Sequence, residues 1–166
     1  MTAALPKKVT EYLAEVNYSD NNGFVPSTFS LEMVNLIKLI DGGMTENITP
    51  PVHLKILDSY VDVSGKDVIN LCHRGMAKTS LMEYLIFRIA LYGELPSLGK
   101  IPHMIYVGDT IDGGVKKMRK ALEFKFNNSD FLQQYLQEVK FTDIRWEFIR
   151  KDGTSLVVSA YGGKTN

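Results

Sequence analysis

The stretch DVINLCHRGMAKTSLMEYLIF, residues 67–87, decides the fold class that we predict for this chain. Its apolar residues Val68, Ile69 and Leu71 predict a short buried strand, and the apolar run after Ser80 predicts a helix. Between them lies a loop that ends in Lys-Thr. This order is typical of phosphate-binding P-loops, in which backbone N–H groups and a helix N-terminus face an anion. The sequence therefore predicts a phosphate-binding loop.

The loop departs from the common pattern G-x-x-x-x-G-K-[ST] at both glycine positions. Cys72 stands at the first position and Ala77 at the second, and Gly75 is the loop's only glycine. In such a loop Lys78 reaches the β- and γ-phosphates, and the hydroxyl of Thr79 binds Mg²⁺. The loop alone leaves an alternative open, which is an ordinary strand-to-helix connection with a solvated lysine and a capping threonine.

Length and composition are those of an ordinary globular protein. The chain has 166 residues, of which 45% are hydrophobic and 23% charged, enough for one domain or part of one. The formal net charge is zero, so overall charge predicts binding to neither nucleic acid nor membranes. No apolar run approaches the roughly 18–20 residues of a membrane span, and the N-terminus lacks an apolar signal core. Together with the single Cys72, this predicts a cytoplasmic protein.

The remaining sequence alternates between helical and strand patterns. Ser27 or Thr28 is expected to cap the first helix, which stops at Asp41-Gly42. Helices are further predicted over residues 52–61, 79–92, 114–127 and 131–139, and strands over 104–107, 144–149 and 154–158. Asp152-Gly153 between the last two strands predicts a hairpin. The pattern predicts an α/β fold with a parallel-sheet core of the P-loop NTPase (ASCE) type, in which ligands bind at the carboxyl ends of strands.

Arg74 makes the loop more specific, because it places a second cation four residues before Lys78. The run Arg74-Gly75-Met76-Ala77-Lys78-Thr79 resembles the R-G-x-[GA]-K-[ST] loop of the large terminase subunit, the ATP-driven motor that packages DNA into tailed-phage capsids. The resemblance covers roughly residues 50–166. It implies a helical lead-in over residues 1–49 and the N-terminal part of a P-loop ATPase domain over residues 50–166. The family's Walker B acid pair and nuclease domain are expected outside this sequence, as in a truncated chain or a split gene.

The same resemblance implies ATP and Mg²⁺ as ligands. Lys78 and Arg74 would neutralise charge while water attacks the γ-phosphate in line, and Thr79 would bind the metal. His53 stands about 25 residues before Lys78, where the family has an adenine-recognition glutamine; a purely structural histidine is the alternative. The nucleotide-binding residues implied are Cys72, His73, Arg74, Gly75, Met76, Ala77, Lys78, Thr79, Ser80 and His53.

The resemblance also implies partners: double-stranded DNA, the portal protein, the small terminase subunit and a complementing C-terminal polypeptide that supplies the missing acids. It implies a ring homo-oligomer in the host cell cytoplasm, without membrane attachment. A local basic cluster that could contact DNA is formed by Lys116, Lys117, Arg119 and Lys120, for which a solvated helix face is the alternative. Two other classes of function stay open. One is another P-loop ATPase, helicase-like or a small kinase, that uses Asp109 as the Mg²⁺ acid, and the other is a non-enzymatic interaction domain.

Overall fold

The computed structural model describes residues 23–42, 49–62, 67–96 and 98–164, which form a mixed arrangement of helices and strands. The helices are α1 Thr28–Ile40, α2 Pro51–Ser59, α3 Lys78–Tyr92, α4 Lys116–Asn128 and α5 Asp130–Tyr135. The strands are β1 Glu94–Leu95, β2 Gly99–Lys100, β3 His103–Gly108, β4 Leu136–Phe141, β5 Arg145–Arg150 and β6 Ser155–Gly162. A π-helical turn, Ile111–Val115, leads into α4. The predicted α/β class is confirmed at this level.

Helix boundaries follow the capping signals of the sequence. The Oγ of Ser27 accepts a hydrogen bond from the Ser30 N–H at 3.2 Å and begins α1, which ends at Asp41 as predicted. Helix α3 ends at Gly93, whose φ of 78° is the left-handed conformation that glycine adopts at helix ends. These local signals act within a few residues, so the sequence alone can specify them.

The main sheet has the strand order β3-β6-β5-β4. Strands β3 and β6 are parallel, whereas β6 with β5 and β5 with β4 are antiparallel. The predicted hairpin is confirmed, because β5 and β6 flank the turn that contains Asp152-Gly153. The described sheet is therefore mixed, with one parallel pair, where a parallel core was expected.

Two predicted elements are wrong. Residues 67–71 have no ladder partner in the described part of the chain and are not a strand, and Ile69 and Leu71 are 79% and 91% exposed. A strand needs a neighbour to accept its hydrogen bonds, which an apolar pattern does not supply. Residues 136–139, predicted as the end of a helix, form the start of β4 instead. Their helical spacing is overridden by pairing with β5, since strand formation depends on such tertiary context.

The core lies on one face of the main sheet. Trp146, Phe148, Leu156 and Val158 are fully buried there, and Phe87 of α3 packs edge-on against Phe148 with ring centroids 5.7 Å apart. Helix α3 is buried along most of its length, as its apolar sequence predicts, and it contacts α1, α2, α4 and the sheet. This packing holds the N-terminal turns of α3 beside α1 and α2.

The opposite face of β3 is open. Ile105 and Val107 are 65% and 63% exposed, and Tyr161 on the neighbouring β6 is exposed as well. Alternate residues of a strand point to opposite faces, so the inward neighbours Met104 and Tyr106 pack against the core. Among the described helices none is long and apolar enough to span a bilayer.

Candidate functional site

The predicted phosphate loop folds back onto its own lysine. The Nζ of Lys78 donates hydrogen bonds to the carbonyl oxygens of Cys72 at 2.7 Å and His73 at 3.0 Å. The ammonium group therefore lies against the first residues of the loop, although Lys78 itself begins α3. A cation held inside the loop, beside the helix N-terminus, is well placed for an anionic ligand that replaces these carbonyl contacts.

The loop backbone needs left-handed residues at the two positions where the chain has Gly75 and Ala77. Gly75 has φ of 92°, and Ala77 has φ of 53° and ψ of 16°. Among the described residues Ala77 is the only non-glycine with positive φ. Alanine therefore occupies a conformation that glycine adopts at lower cost. Ala77, at the second glycine position of the common motif, thus has a left-handed backbone although it is not glycine.

A pocket of about 230 Å³ opens beside the loop, between α1, α2 and the first two turns of α3. Ala77 lines it from the end of the loop, Ser80 and Tyr84 from α3, and His53 and Leu57 from α2. Its volume is below the roughly 300–1,000 Å³ of pockets that enclose a whole drug-sized molecule. The structure thus brings His53 together with Ala77 at the end of the loop and Ser80 in the first turn of α3.

Asp41 and Tyr84, which both line this pocket, belong to a polar network. The Tyr84 hydroxyl donates to both carboxylate oxygens of Asp41, at 2.7 and 3.0 Å, and accepts from the Nζ of Lys125 at 3.0 Å. Lys125 also lies 3.6 Å from the Glu83 carboxylate. Burial, together with the hydrogen bond to Asp41, raises the pKa of Tyr84 well above its ordinary value. The hydroxyl therefore stays protonated and keeps donating to Asp41.

The sequence does not predict Asp41 or Tyr84 as site residues. In the sequence, Asp41 belongs to a predicted helix end, and Tyr84 lies within the largely apolar stretch of a predicted helix. They meet because α1 packs against α3, a tertiary contact over 43 residues of sequence. No local motif signals such a pair.

The other predicted loop residues differ in exposure. Cys72, Met76 and Ser80 are partly buried, whereas His73 and Thr79 are exposed. Arg74 is also exposed, at the tip of the loop, and the His73 Nδ1 lies 2.6 Å from the Arg74 carbonyl oxygen. The exposed Arg74 side chain is accessible to a ligand, as its predicted role requires. These roles stay predictions.

Nucleotide and metal fit this site to different degrees. The pocket and the Lys78 loop offer an apolar cavity and a cation, as a base and a triphosphate require. For Mg²⁺ the loop offers the Thr79 hydroxyl, but within the described ranges no group of three or more His, Cys, Asp or Glu residues is placed to hold a metal ion. Mg²⁺ at nucleotide sites is usually held by one or two carboxylates besides the phosphates.

Asp109, the alternative Mg²⁺ acid, lies exposed just after β3, as predicted for the carboxyl end of a strand. Its Oδ1 lies 3.0 Å from the Nζ of Lys164, which follows β6. The two parallel strands thus bring these opposite charges together at one edge of the sheet. The contact gives Asp109 a structural partner without assigning it a catalytic role.

Two of the four cations of the basic cluster have acidic partners on the same helical stretch. Lys116 pairs with Asp112 at 2.7 Å, and Arg119 lies 3.7 Å from Glu123. Contacts of this i,i+4 type are usual on a solvated helix. The pairing favours the solvated-face alternative over a DNA-binding surface.

A scan of protein-family models, a search of curated proteins and a search of solved structures found no match to this chain.

Proposed function

We propose that the chain binds a nucleoside triphosphate, ATP, and is the ATP-binding part of a terminase-type DNA-packaging motor. The observation that carries the proposal is the pocket in which His53, Ala77 and Ser80 meet, with Lys78 following Ala77 and donating to the loop carbonyl of Cys72. In this arrangement the base enters the pocket and the triphosphate lies along the loop. The Lys78 ammonium exchanges the Cys72 and His73 carbonyl oxygens for phosphate oxygens.

The fold part of this proposal is a P-loop NTPase-type (ASCE) core. It is supported by the loop that precedes a buried helix, by the left-handed backbone at Ala77, and by the parallel pair of β3 and β6. ATP hydrolysis would need carboxylates that bind Mg²⁺, and no cluster of the described residues is placed to hold a metal ion. We therefore propose that a complementing polypeptide supplies them.

The open face of β3 supports such a complementing polypeptide. Ile105 and Val107 are exposed there, and the apolar residues Ile69 and Leu71 just before the loop are exposed as well. Apolar side chains on an edge strand favour the addition of a further strand. Double-stranded DNA, the portal protein and the small terminase subunit remain partners proposed from the loop motif, as does ring assembly in the host cell cytoplasm.

The function is tested by measuring ATP affinity by isothermal titration in the wild type and in Lys78→Ala. A hydrogen-bonded charge contact to phosphate is expected to be worth about 10-fold to 100-fold in affinity. Lys117→Ala, which removes an exposed lysine of α4, is the matched control and should leave the affinity unchanged. Equal ATP affinity in the wild type and Lys78→Ala would overturn the assignment of the loop.

A further inference from the structure

The segment that leads into the loop, residues 67–72, has no sheet to hold it, since none of the described strands pairs with it. Its last side chains alternate in exposure. Ile69 and Leu71 are exposed, whereas Asn70 and Cys72 are partly buried. Such alternation is that of an extended chain with one side against the rest of the protein. The inward side of this segment is therefore formed by Asn70 and Cys72.

The Asn70 side chain reaches the end of α2. Its Nδ2 donates to the Oγ of Ser59 at 3.0 Å, and the same Oγ donates to the Ile56 carbonyl oxygen at 2.6 Å. A serine hydroxyl has one proton and two acceptor lone pairs, so Ser59 makes both bonds at once. Cys72 lies partly buried against the hydrophobic core, as does Tyr60, the residue that follows Ser59. The loop-leading segment is thus joined to α2 by side chains.

Helix α2 is itself firmly placed. Three of its apolar side chains are buried: Leu54, Ile56 and Leu57. The carboxylate of Asp58 accepts from the backbone N–H of Ser27 at 3.2 Å, which ties the end of α2 to the start of α1. Helix α2 also packs against α3. The Ser59 hydroxyl is therefore a fixed point against which Asn70 can hold the segment.

The carbonyl groups that contact Lys78 follow directly after Asn70. The Cys72 and His73 oxygens accept from the Lys78 Nζ at 2.7 and 3.0 Å. Lys78 belongs to α3, whereas the two carbonyl groups belong to the loop, so these bonds form only when the loop-leading segment lies close to α3. Two residues span about 7 Å of extended chain, so a displacement of Asn70 from α2 passes on to both carbonyl groups.

We propose that Asn70 and Ser59 are a positioning pair for the loop: their hydrogen bond holds the Cys72 and His73 carbonyl oxygens within reach of Lys78. Neither residue touches a ligand, and both act through the loop backbone. The inference rests on the proposed function for its purpose, because a loop that is ordered before the phosphate arrives loses less conformational entropy on binding. The contact itself is a property of the chain without ligand and is tested in that state.

The experiment measures the chemical reactivity of Cys72 and Lys78 in the full chain without nucleotide. The sequence has one cysteine, so labelling with a thiol reagent reports on Cys72 alone. Reductive methylation followed by mass spectrometry gives the reactivity of each lysine amine. Lys125 serves as the reporter of global unfolding, because its Nζ contacts the Tyr84 hydroxyl at 3.0 Å in the folded chain.

In Asn70→Ala we expect Cys72 and Lys78 to react about 2-fold to 10-fold faster than in the wild type, which corresponds to the net contribution of one hydrogen bond. Lys125 should keep its wild-type rate, because the fold as a whole is unchanged. Wild-type rates at both Cys72 and Lys78 would overturn the proposal. An equal rise at Lys125 would overturn it as well, since Asn70 would then support the whole fold and not the loop.

Further variants assign the effect to the one bond. Ser59→Ala should raise the two rates as Asn70→Ala does, and the double variant should raise them no further, because the second substitution removes a bond that is already lost. Ser59→Thr keeps the hydroxyl and should restore the wild-type rates. Asn128→Ala is the matched control, since it removes an asparagine amide bond to the Phe124 carbonyl within α4. Effects that multiply in the double variant would refute the pair.

This inference and the proposed function fail in distinguishable ways. If Asn70→Ala speeds the reaction of Cys72 and Lys78 but the wild type binds no ATP, the positioning pair stands and the nucleotide-binding function is wrong. If ATP binds in a manner that depends on Lys78 but the labelling rates do not change in Asn70→Ala, the function stands and the positioning pair is wrong.

Discussion

Replacing Ala77 by glycine should stabilise the chain, although the same substitution in an ordinary helix destabilises it. Ala77 has φ of 53°, a left-handed conformation that costs an L-residue roughly 1–2 kcal/mol. Glycine removes this cost but loses more backbone entropy on folding, which offsets about 0.4–1 kcal/mol. The net expectation for Ala77→Gly is a gain of about 1 kcal/mol. For a chain of this length that corresponds to a rise of about 2–4 °C in Tm.

Ala121→Gly is the matched control, because Ala121 lies in the middle of α4. Glycine in a helix interior costs about 1 kcal/mol relative to alanine. The unfolded-state effect is the same in both variants, so the difference between them, about 2 kcal/mol, reports the native backbone conformation alone. Thermal and urea unfolding followed by circular dichroism measure both variants. Equal destabilisation by Ala77→Gly and Ala121→Gly would refute the left-handed backbone at position 77.

Two further predictions concern the buried acid of α3 and the open sheet face. Burial raises the pKa of Glu83 in the folded chain, although Lys125 acts in the opposite direction. The folded state therefore holds the Glu83 proton more tightly than the unfolded state does. This contribution to the free energy of unfolding is fully present below the unfolded pKa and is lost as pH rises through the folded pKa. From about pH 4.5 upward, urea melts should show the wild type losing more stability than Glu83→Gln, and parallel pH profiles would contradict this. Val158→Thr, which buries a hydroxyl in the core, should cost about 1–3 kcal/mol, whereas Val107→Thr on the open face should stay within about 0.5 kcal/mol. Chemical denaturation compares the two valines, and a similar loss in both would show that the β3 face is covered.

Local features of this chain could be predicted because the forces that specify them act over a few residues. Ser27 caps α1, Gly93 ends α3, and Asp152-Gly153 turns β5 into β6, all as the sequence predicts. Helix α3 begins at Lys78, within one residue of the predicted start, and Ala77 before it has a left-handed backbone. Capping, turn chemistry and helical periodicity are properties of short segments, so one sequence contains the information.

Pairing and pocket formation were decided only by the tertiary structure. The apolar run at residues 67–71 looks like a strand, yet no described strand pairs with it, whereas residues 136–139 have helical spacing and join β5. Asp41 and Tyr84 meet across 43 residues because α1 packs on α3, which converts a helix stop and an apolar helix position into the wall of a candidate base pocket. The sequence by itself determined where the helix caps, the β5–β6 turn and the buried helix α3 lie. Which side chains face the loop before α3 depends on contacts between distant segments, and these are set by how the helices pack on one another and on the sheet.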